Sequence, residues 1–325
     1  MPEFAEAARV LAGLQNVLIA THEKPDGDAF GSALGLAELM RDNGRRATVL
    51  LPDQIPVKFE VFAGEYRTRL APEEFAGFDA LIVLDAARES RIALGEGVTA
   101  ASLAMPLFNL DHHIDNSING KWNCVSGECA ASAELVFHLA DRLGWMISPR
   151  AATWLAIGII TDTGSFRFTN TTAATLRAAA RLRECGADWE KVVNASFFSK
   201  PRNQQQFEVE MLQNCVKSAF DGRFIYALIP DELFAKYNFD MRDGEAVIDL
   251  LREIAGVTVA ALVYRRNGAF KLSLRSKDER YPVGPIARVF GGGGHQMAAG
   301  ATLEVASFAE AESRLLAEVG RVLTS

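Results

Sequence analysis

The sequence predicts an α/β protein: a mostly parallel sheet with helices on both faces, followed by a smaller α/β domain. Three observations carry this. In the first half, short apolar runs of strand length alternate with longer segments whose apolar residues recur at helical spacing. Near residue 200 a polar stretch interrupts the pattern, and beyond it strand-like runs surround one helical segment. At 325 residues the chain is long enough for two cores.

Taken in order, NVLIA (16–20) opens the series, and AFGSALGLAELMRDNG follows with helical spacing and closes on Asn43-Gly44, a stop signal. RATVLL (46–51), DALIVLD (79–85) and PLFNLDHH (106–113) each run from apolar residues into a polar turn, as buried strands of a parallel sheet do. In such sheets ligand groups gather at the carboxyl ends of the strands. Helices are expected near 130–143, 149–160, 172–184 and 188–198. SKPRNQQQFEVEMLQN (199–214) is polar, contains a proline and then turns helical, so it is expected to link a domain over 1–198 to one over 215–325. In the second domain FIYALIP, VTVAALVYRR and AFKLSLRS are strand-like, GEAVIDLLREIAG is helical, and a last helix from about 306 to 323 follows the run GGGGH.

Composition excludes several functions. With 49% hydrophobic and 23% charged residues the chain is globular, and no apolar run approaches a membrane span. The start MPEFAEAARVLAGLQ lacks a signal-peptide pattern, so a cytoplasmic protein without a membrane partner is expected. Cys124, Cys129, Cys185 and Cys215 show no zinc-site spacing and are expected to be buried and reduced. A net charge of −7 argues against gripping long duplex nucleic acid, which needs many Lys and Arg contacts. It does not exclude a short phosphorylated ligand whose charge is met by metal ions.

Four polar clusters stand where apolar segments give way to turns: THEKPDGDAFGS with His22, Asp26 and Asp28; LIVLDAAR with Asp85; NLDHHIDN with Asp111, His112 and His113; and GIITDTGSF with Asp162. Alone, an Asp after a strand is as often a cap or turn residue. Together the clusters hold three of the chain's five histidines. Imidazole plus carboxylate without thiolate suits Mn²⁺, Fe²⁺, Co²⁺ or Zn²⁺. His22, Asp26, Asp28, Asp85, His112 and Asp162 are too many for one open zinc site, but they suit two ions bridged by a carboxylate.

Farther on, residues 262–295 are basic, with Arg265, Arg266, Lys271, Arg275, Lys277, Arg280 and Arg288 against Asp278 and Glu279. Strand periodicity puts Lys271, Ser273 and Arg275 on one face, either to meet phosphate or to be solvated on an edge strand. Gly291 to Gly294 can let the backbone approach a ligand and form an anion-binding nest, with His295 at its edge.

The order HEKPDGD, LD, DHH and TDTG resembles the DHH phosphoesterase superfamily, and GGGGHQMAAG resembles the motif of its DHHA1 domain. The resemblance covers about residues 15 to 320; HEKPDGDAFGS and KLSLRSK look most like the nanoRNase and pAp phosphatase group. It implies a DHH catalytic domain over 1–198 and a DHHA1 substrate-binding domain over 215–325. It further implies two divalent ions, Mn²⁺ foremost, one held by His22 and Asp26, the other by Asp28, His112 and Asp162, with Asp85 between them. Asp111 would orient a neighbouring ligand, and His113 would face the substrate as phosphate binder or proton donor. Arg275, Gly292, Gly293, Gly294 and His295 would hold the substrate's far end.

The expected substrates are short RNA oligonucleotides, from dinucleotides upward, cut to mononucleotides, and 3′-phosphoadenosine 5′-phosphate (pAp), cut to AMP. Cyclic-dinucleotide hydrolysis is the alternative within the superfamily, and a nucleotide-binding regulatory module without turnover is the alternative outside catalysis. Direction of attack and oligomeric state, a homodimer among the options, stay open.

Overall fold

Strands β1 (Asn16–Ala20), β2 (Arg46–Leu50), β3 (Ala80–Leu84), β4 (Leu107–Asp111) and β5 (Trp122–Val125) pair in parallel in the order β2-β1-β3-β4-β5. The computed structural model describes residues 2–241, 247–266, 268–294 and 296–324. The chain divides into two units, Met1–Ser199 and Lys200–Ser325, and this sheet is the centre of the first.

Side chains alternate across the sheet as the pleat requires. Val17, Ile19, Ile82, Leu84, Phe108 and Leu110 enter one core, with α1 (Pro2–Gly13), α2 (Gly27–Asp42), α3 (Ser132–Arg142), α4 (Pro149–Asp162), α5 (Ala173–Glu184) and α6 (Trp189–Phe197). Leu18, Ala20, Leu81 and Val83 enter the other. That second face is covered by loops and short 3₁₀ turns (Pro72–Gly77, Glu89–Arg91, Ala100–Ser102), where helices of the same kind had been expected. The connections there carry Pro52, Pro56, Pro72, Gly77, Gly95 and Gly97, which break helical periodicity. β5 was not foreseen, because WNCV is a four-residue edge strand with no long apolar run.

The first unit's helices are held unusually close. Gly27, Gly31 and Gly35 lie one turn apart on α2, against α4. A methyl at Gly31 would lie 2.8 Å from the Trp154 carbonyl oxygen and 2.9 Å from the Gly158 nitrogen; at Gly158 it would lie 2.6 Å from Asp28 Oδ1. Only glycine allows this approach, which brings the start of α2, with Asp26 and Asp28, beside the end of α4, with Asp162. Fully buried Phe30, Phe59 and Trp154 fill the space behind, with Phe30 and Phe59 ring centres 5.0 Å apart.

The second unit is a six-stranded sheet, β10 (Gly293–Gly294), β11 (Ala298–Leu303), β9 (Ala269–Ser276), β8 (Val259–Arg266), β7 (Phe224–Ile229) and β6 (Val216–Ala219) in spatial order, with only β7 and β8 parallel. α10 (Gly284–Val289) and α11 (Phe308–Leu323) cover one face; α7 (Arg202–Asn214), α8 (Asp231–Tyr237) and α9 (Val247–Arg252) cover the other. Residues 202–214, expected within a linker, are therefore a packed helix of this unit. Its buried stripe is Gln204, Phe207, Glu208 and Met211, and half of it is polar. Gln204 donates to Glu208 (2.9 Å) and Lys200 pairs with Glu208 (2.6 Å), so self-satisfied polar groups disguised a core-facing helix.

Gly31→Ala should destabilise the first unit by about 1–3 kcal/mol through overpacking against backbone, read as a lower denaturant midpoint. Gly77→Ala, where an added methyl meets nothing within 4 Å, should leave the midpoint nearly unchanged.

Candidate metal centre

β1, β3 and β4 end side by side, and the residues that follow them point chemistry at one crevice. The sheet order changes direction between β1 and β3, the place where open α/β sheets bind ligands. His22 follows β1, Asp85 follows β3, and Asp111, His112 and His113 close β4. Asp162 comes from the end of α4, so the expected rim of strands is completed by a helix terminus.

Each side chain is fixed locally. His22 Nδ1 donates to the Glu23 carbonyl (2.7 Å), which turns Nε2 to within 3.8 Å of Asp26 and 3.7 Å of Asp85. Asp26 is the N-cap of α2, accepting from the Asp28 and Ala29 amides through Oδ1. Asp28 accepts from the first amides of α3, Ser132 N (2.6 Å) and Ala133 N (2.9 Å). Asp85 sits at φ +57, a left-handed conformation that costs a non-glycine residue energy and is found at functional turns. Its Oδ1 accepts from Ser132 Oγ (3.2 Å).

The structure brings all six residues expected as metal ligands together. His22, Asp26 and Asp85 form one group, and Asp28, His112 and Asp162 a second, each with ligand atoms within 4.8 Å of one another. Asp85 adjoins both, since its Oδ1 is 3.4 Å from His112 Nε2. Most of the facing pairs stand at 3.6–3.9 Å, beyond hydrogen-bond reach. Buried carboxylates that face one another and imidazoles at such distances are a donor set that fits cations. Asp28 and Asp85 are almost wholly buried, whereas Asp26 is 42% and Asp162 29% exposed, so the cluster opens on their side.

Electrostatics agree with the geometry. Burial, then the charges of Asp85 and Asp162, push the Asp28 carboxyl well above its ordinary range. Burial also pushes Asp162 up to about 7, with Asp26 and Asp85 adding to it against the pull of His112. Burial acts the same way on Asp85, but His112, His113 and His22 outweigh it and hold Asp85 at about 2. His112 in turn is raised well above its usual value despite burial, by Asp85, Asp162 and Asp28. Protons now do what a divalent cation would do, because ligating imidazole and carboxylate must be deprotonated.

Asp111 serves both histidines that follow it. Its ring partner is His113, through a 2.7 Å bond from Nδ1 to Oδ1, rather than a residue of either ligand group. The same carboxylate accepts from the His112 and His113 amides and from the Ala87 amide, which ties the end of β4 to the turn after β3. Asn116, not assigned a role from sequence, donates to Asp111 Oδ2 and accepts from Asn109 of β4 (3.0 Å). Ser132 was missed as well; only its position near the start of an expected helix marked it.

On the second unit, Lys271, Ser273 and Arg275 share one face of β9, with Leu272 and Leu274 buried on the other. β9 lies between β8 and β11, so the edge-strand alternative falls. Much of the basic stretch is answered locally: Arg265 by Asp231, Arg266 by Asp240, Arg280 by Asp278. The expected glycine nest is corrected at two positions. The Gly291 and Gly292 amides donate to the Arg288 and Ala287 carbonyls (3.0 and 2.9 Å) and terminate α10, so they are committed. Gly292 is needed for close approach, since a methyl there would lie 2.1 Å from the Gly300 oxygen. Gly293 and Gly294 form β10 against β11, and His295 lies outside the described residues.

Comparison with known proteins decides the family. The DHH family N-terminal domain matches residues 16–159, and the DHHA1 domain matches residues 221–325. Over 318 residues the chain is 33% identical to the bifunctional oligoribonuclease and PAP phosphatase NrnA of Thermus thermophilus, covering 98% of this chain and 93% of that one. The chain belongs to the DHH family. The protein of the same name from Mycoplasma genitalium is 29% identical over 92% of each chain. Among solved structures, an exopolyphosphatase-related protein from Bacteroides fragilis superposes with a TM-score of 0.88 at 22% identity, over 98% of this chain and 96% of that one, and so shares the fold. DHH phosphoesterases are metal-dependent, and the Asp and His cluster described above is the DHH domain's candidate for holding the metal. No helix among the described residues is long and apolar enough to cross a membrane.

Asp162 sets a pH dependence. Its pKa is raised from about 3.9 when unfolded to about 7 when folded without metal. The folded state therefore binds the extra proton, and this group's contribution to stability falls as pH rises from the unfolded value to about 7. A cation must displace that proton at pH 6 but not at pH 8. The rise in melting temperature on adding Mn²⁺ should accordingly be larger at pH 8 than at pH 6, and equal shifts would contradict this account.

Proposed function

We propose that this DHH protein is a two-metal phosphoesterase of the cytoplasm that hydrolyses short RNA oligonucleotides to mononucleotides and pAp to AMP. The observation that carries the proposal is the two Asp and His groups gathered at the carboxyl ends of β1, β3 and β4, with Asp85 a member of one and its Oδ1 3.4 Å from His112 of the other. The names of the NrnA relatives support the substrate assignment.

His22, Asp26 and Asp85 would hold one ion, and Asp28, His112, Asp162 and Asp85 the other. Two Mn²⁺ ions so held would activate the attacking water and offset charge building on the phosphoryl oxygens. The protein's own groups then divide the remaining work. His113 is placed by Asp111 at 2.7 Å, and although burial opposes it, the Asp111 bond and the charges of Asp85 and Asp111 raise its pKa. An imidazolium is thereby available to donate to a phosphoryl oxygen or to the departing oxygen. Asp111 keeps that ring in one tautomer and orientation while its other oxygen holds the Ala87 amide. In the DHHA1 unit, the Lys271, Ser273 and Arg275 face of β9 would meet phosphate, a point charge from Lys and a planar fork from Arg.

The test is product analysis by chromatography after incubation with Mn²⁺ and, separately, pApA, pAp and cyclic di-AMP, with His112→Ala in parallel. AMP from the first two, reduced at least about 100-fold in the variant, as expected for loss of a metal ligand or its support, is the expected result. Selective cleavage of cyclic di-AMP would move the substrate to cyclic dinucleotides, and binding without turnover would overturn the enzymatic assignment.

A further inference from the structure

We infer that Ser132, the first residue of α3, is a positioning residue that sets two of the candidate ligand carboxylates at once, and the assignment rests on the metal-dependent function proposed above. Asp28 and Asp85 come from different elements, the start of α2 and the turn after β3. Neither is held there by its own element alone. Ser132 reaches both: its backbone N–H donates to Asp28 Oδ2 at 2.6 Å, and its hydroxyl donates to Asp85 Oδ1 at 3.2 Å. Ser132 is fully buried, as are both carboxylates to within 2%. Both donors are thus placed by the start of α3.

The start of α3 is itself anchored from three sides. Glu134, 1% exposed, accepts from the Ala130 amide (2.8 Å) and from Thr175 Oγ1 of α5 (2.9 Å). Asn170 Nδ2 donates to the Ala130 carbonyl (3.0 Å) and to the Asp162 carbonyl (3.1 Å). The short segment from Ala130 to Glu134 thus bonds directly to two candidate ligands, Asp28 and Asp85, and is joined to the backbone of a third, Asp162, through Asn170. Within it, the Ser132 hydroxyl is the group that acts on Asp85, which belongs to one ligand group and stands 3.4 Å from His112 of the other.

The two donors of Ser132 separate cleanly by mutation. Ser132→Ala keeps the backbone bond to Asp28 and removes only the hydroxyl that orients Asp85; Ser132→Thr keeps both. Loss of a group that orients a metal ligand weakens metal affinity by about 10–100-fold. Calorimetric titration with Mn²⁺ should therefore show affinity lowered by that factor in Ser132→Ala and largely restored in Ser132→Thr. The Mn²⁺ concentration for half-maximal pAp hydrolysis should rise in parallel, with turnover at saturating Mn²⁺ near that of the unmodified protein. The metal-free melting temperature is read beside them. Unchanged Mn²⁺ affinity in Ser132→Ala, or an affinity loss that Ser132→Thr shares while the metal-free protein melts far lower, would overturn the assignment. If the unmodified protein itself binds no Mn²⁺, it is the metal-dependent function that fails, and the two failures are told apart by that control.

Discussion

Two carboxylates, Asp28 and Asp85, are carried into the interior of the DHH unit, and the architecture around them follows from the cost of doing so. Each buried, unpaired charge costs several kcal/mol. The interior answers with amides at the start of α3, imidazoles from two loops, and a serine hydroxyl. Such a set leaves net negative charge unbalanced. Burial first, and the neighbouring carboxylates after it, raise the pKa values of Asp28 and Asp162, and a divalent cation would offset both effects.

Bringing the carboxylates together required the fold to give something up elsewhere. The glycine stripe of α2 forgoes side-chain packing and helix propensity so that α4 can approach. Asp85 adopts a left-handed backbone, and Asp162 puts a negative charge at a helix C-terminus, where the helix dipole opposes it. Three independent penalties converging on one crevice are hard to account for by stability; each is intelligible if the crevice binds positive charge.

How much of this was legible in the sequence depended on whether a feature speaks through residue type or through spatial partnership. NVLIA and DALIVLD gave away their strands because burial on both faces demands continuous apolar residues. His22, Asp26, Asp85 and His112 stood out only as a set, because the polar clusters that end apolar runs together hold three of the chain's five histidines. Asn116 and Ser132 were not, since an asparagine or serine near a turn is ordinary and only the atom it meets makes it matter. The helix over 202–214 was half hidden by Gln204 and Glu208, whose burial depends on bonding one another and Lys200. The glycine run misled at two positions: four glycines suggest an open anion nest, yet Gly291 and Gly292 terminate α10.

The doubled histidine shows how one strand end can serve two chemistries. Adjacent residues at a strand end point to different sides, and here the backbone change after Asp111 turns His112 toward Asp28, Asp85 and Asp162 while His113 takes Asp111 as its partner. A ligand imidazole must be neutral, whereas a proton donor must be charged near neutral pH. Two rings 4.6 Å apart would ordinarily titrate against one another. Asp111 resolves the conflict by giving His113 a carboxylate of its own, outside the two ligand groups, so that a cation can displace the proton of His112 while His113 keeps the means to hold one.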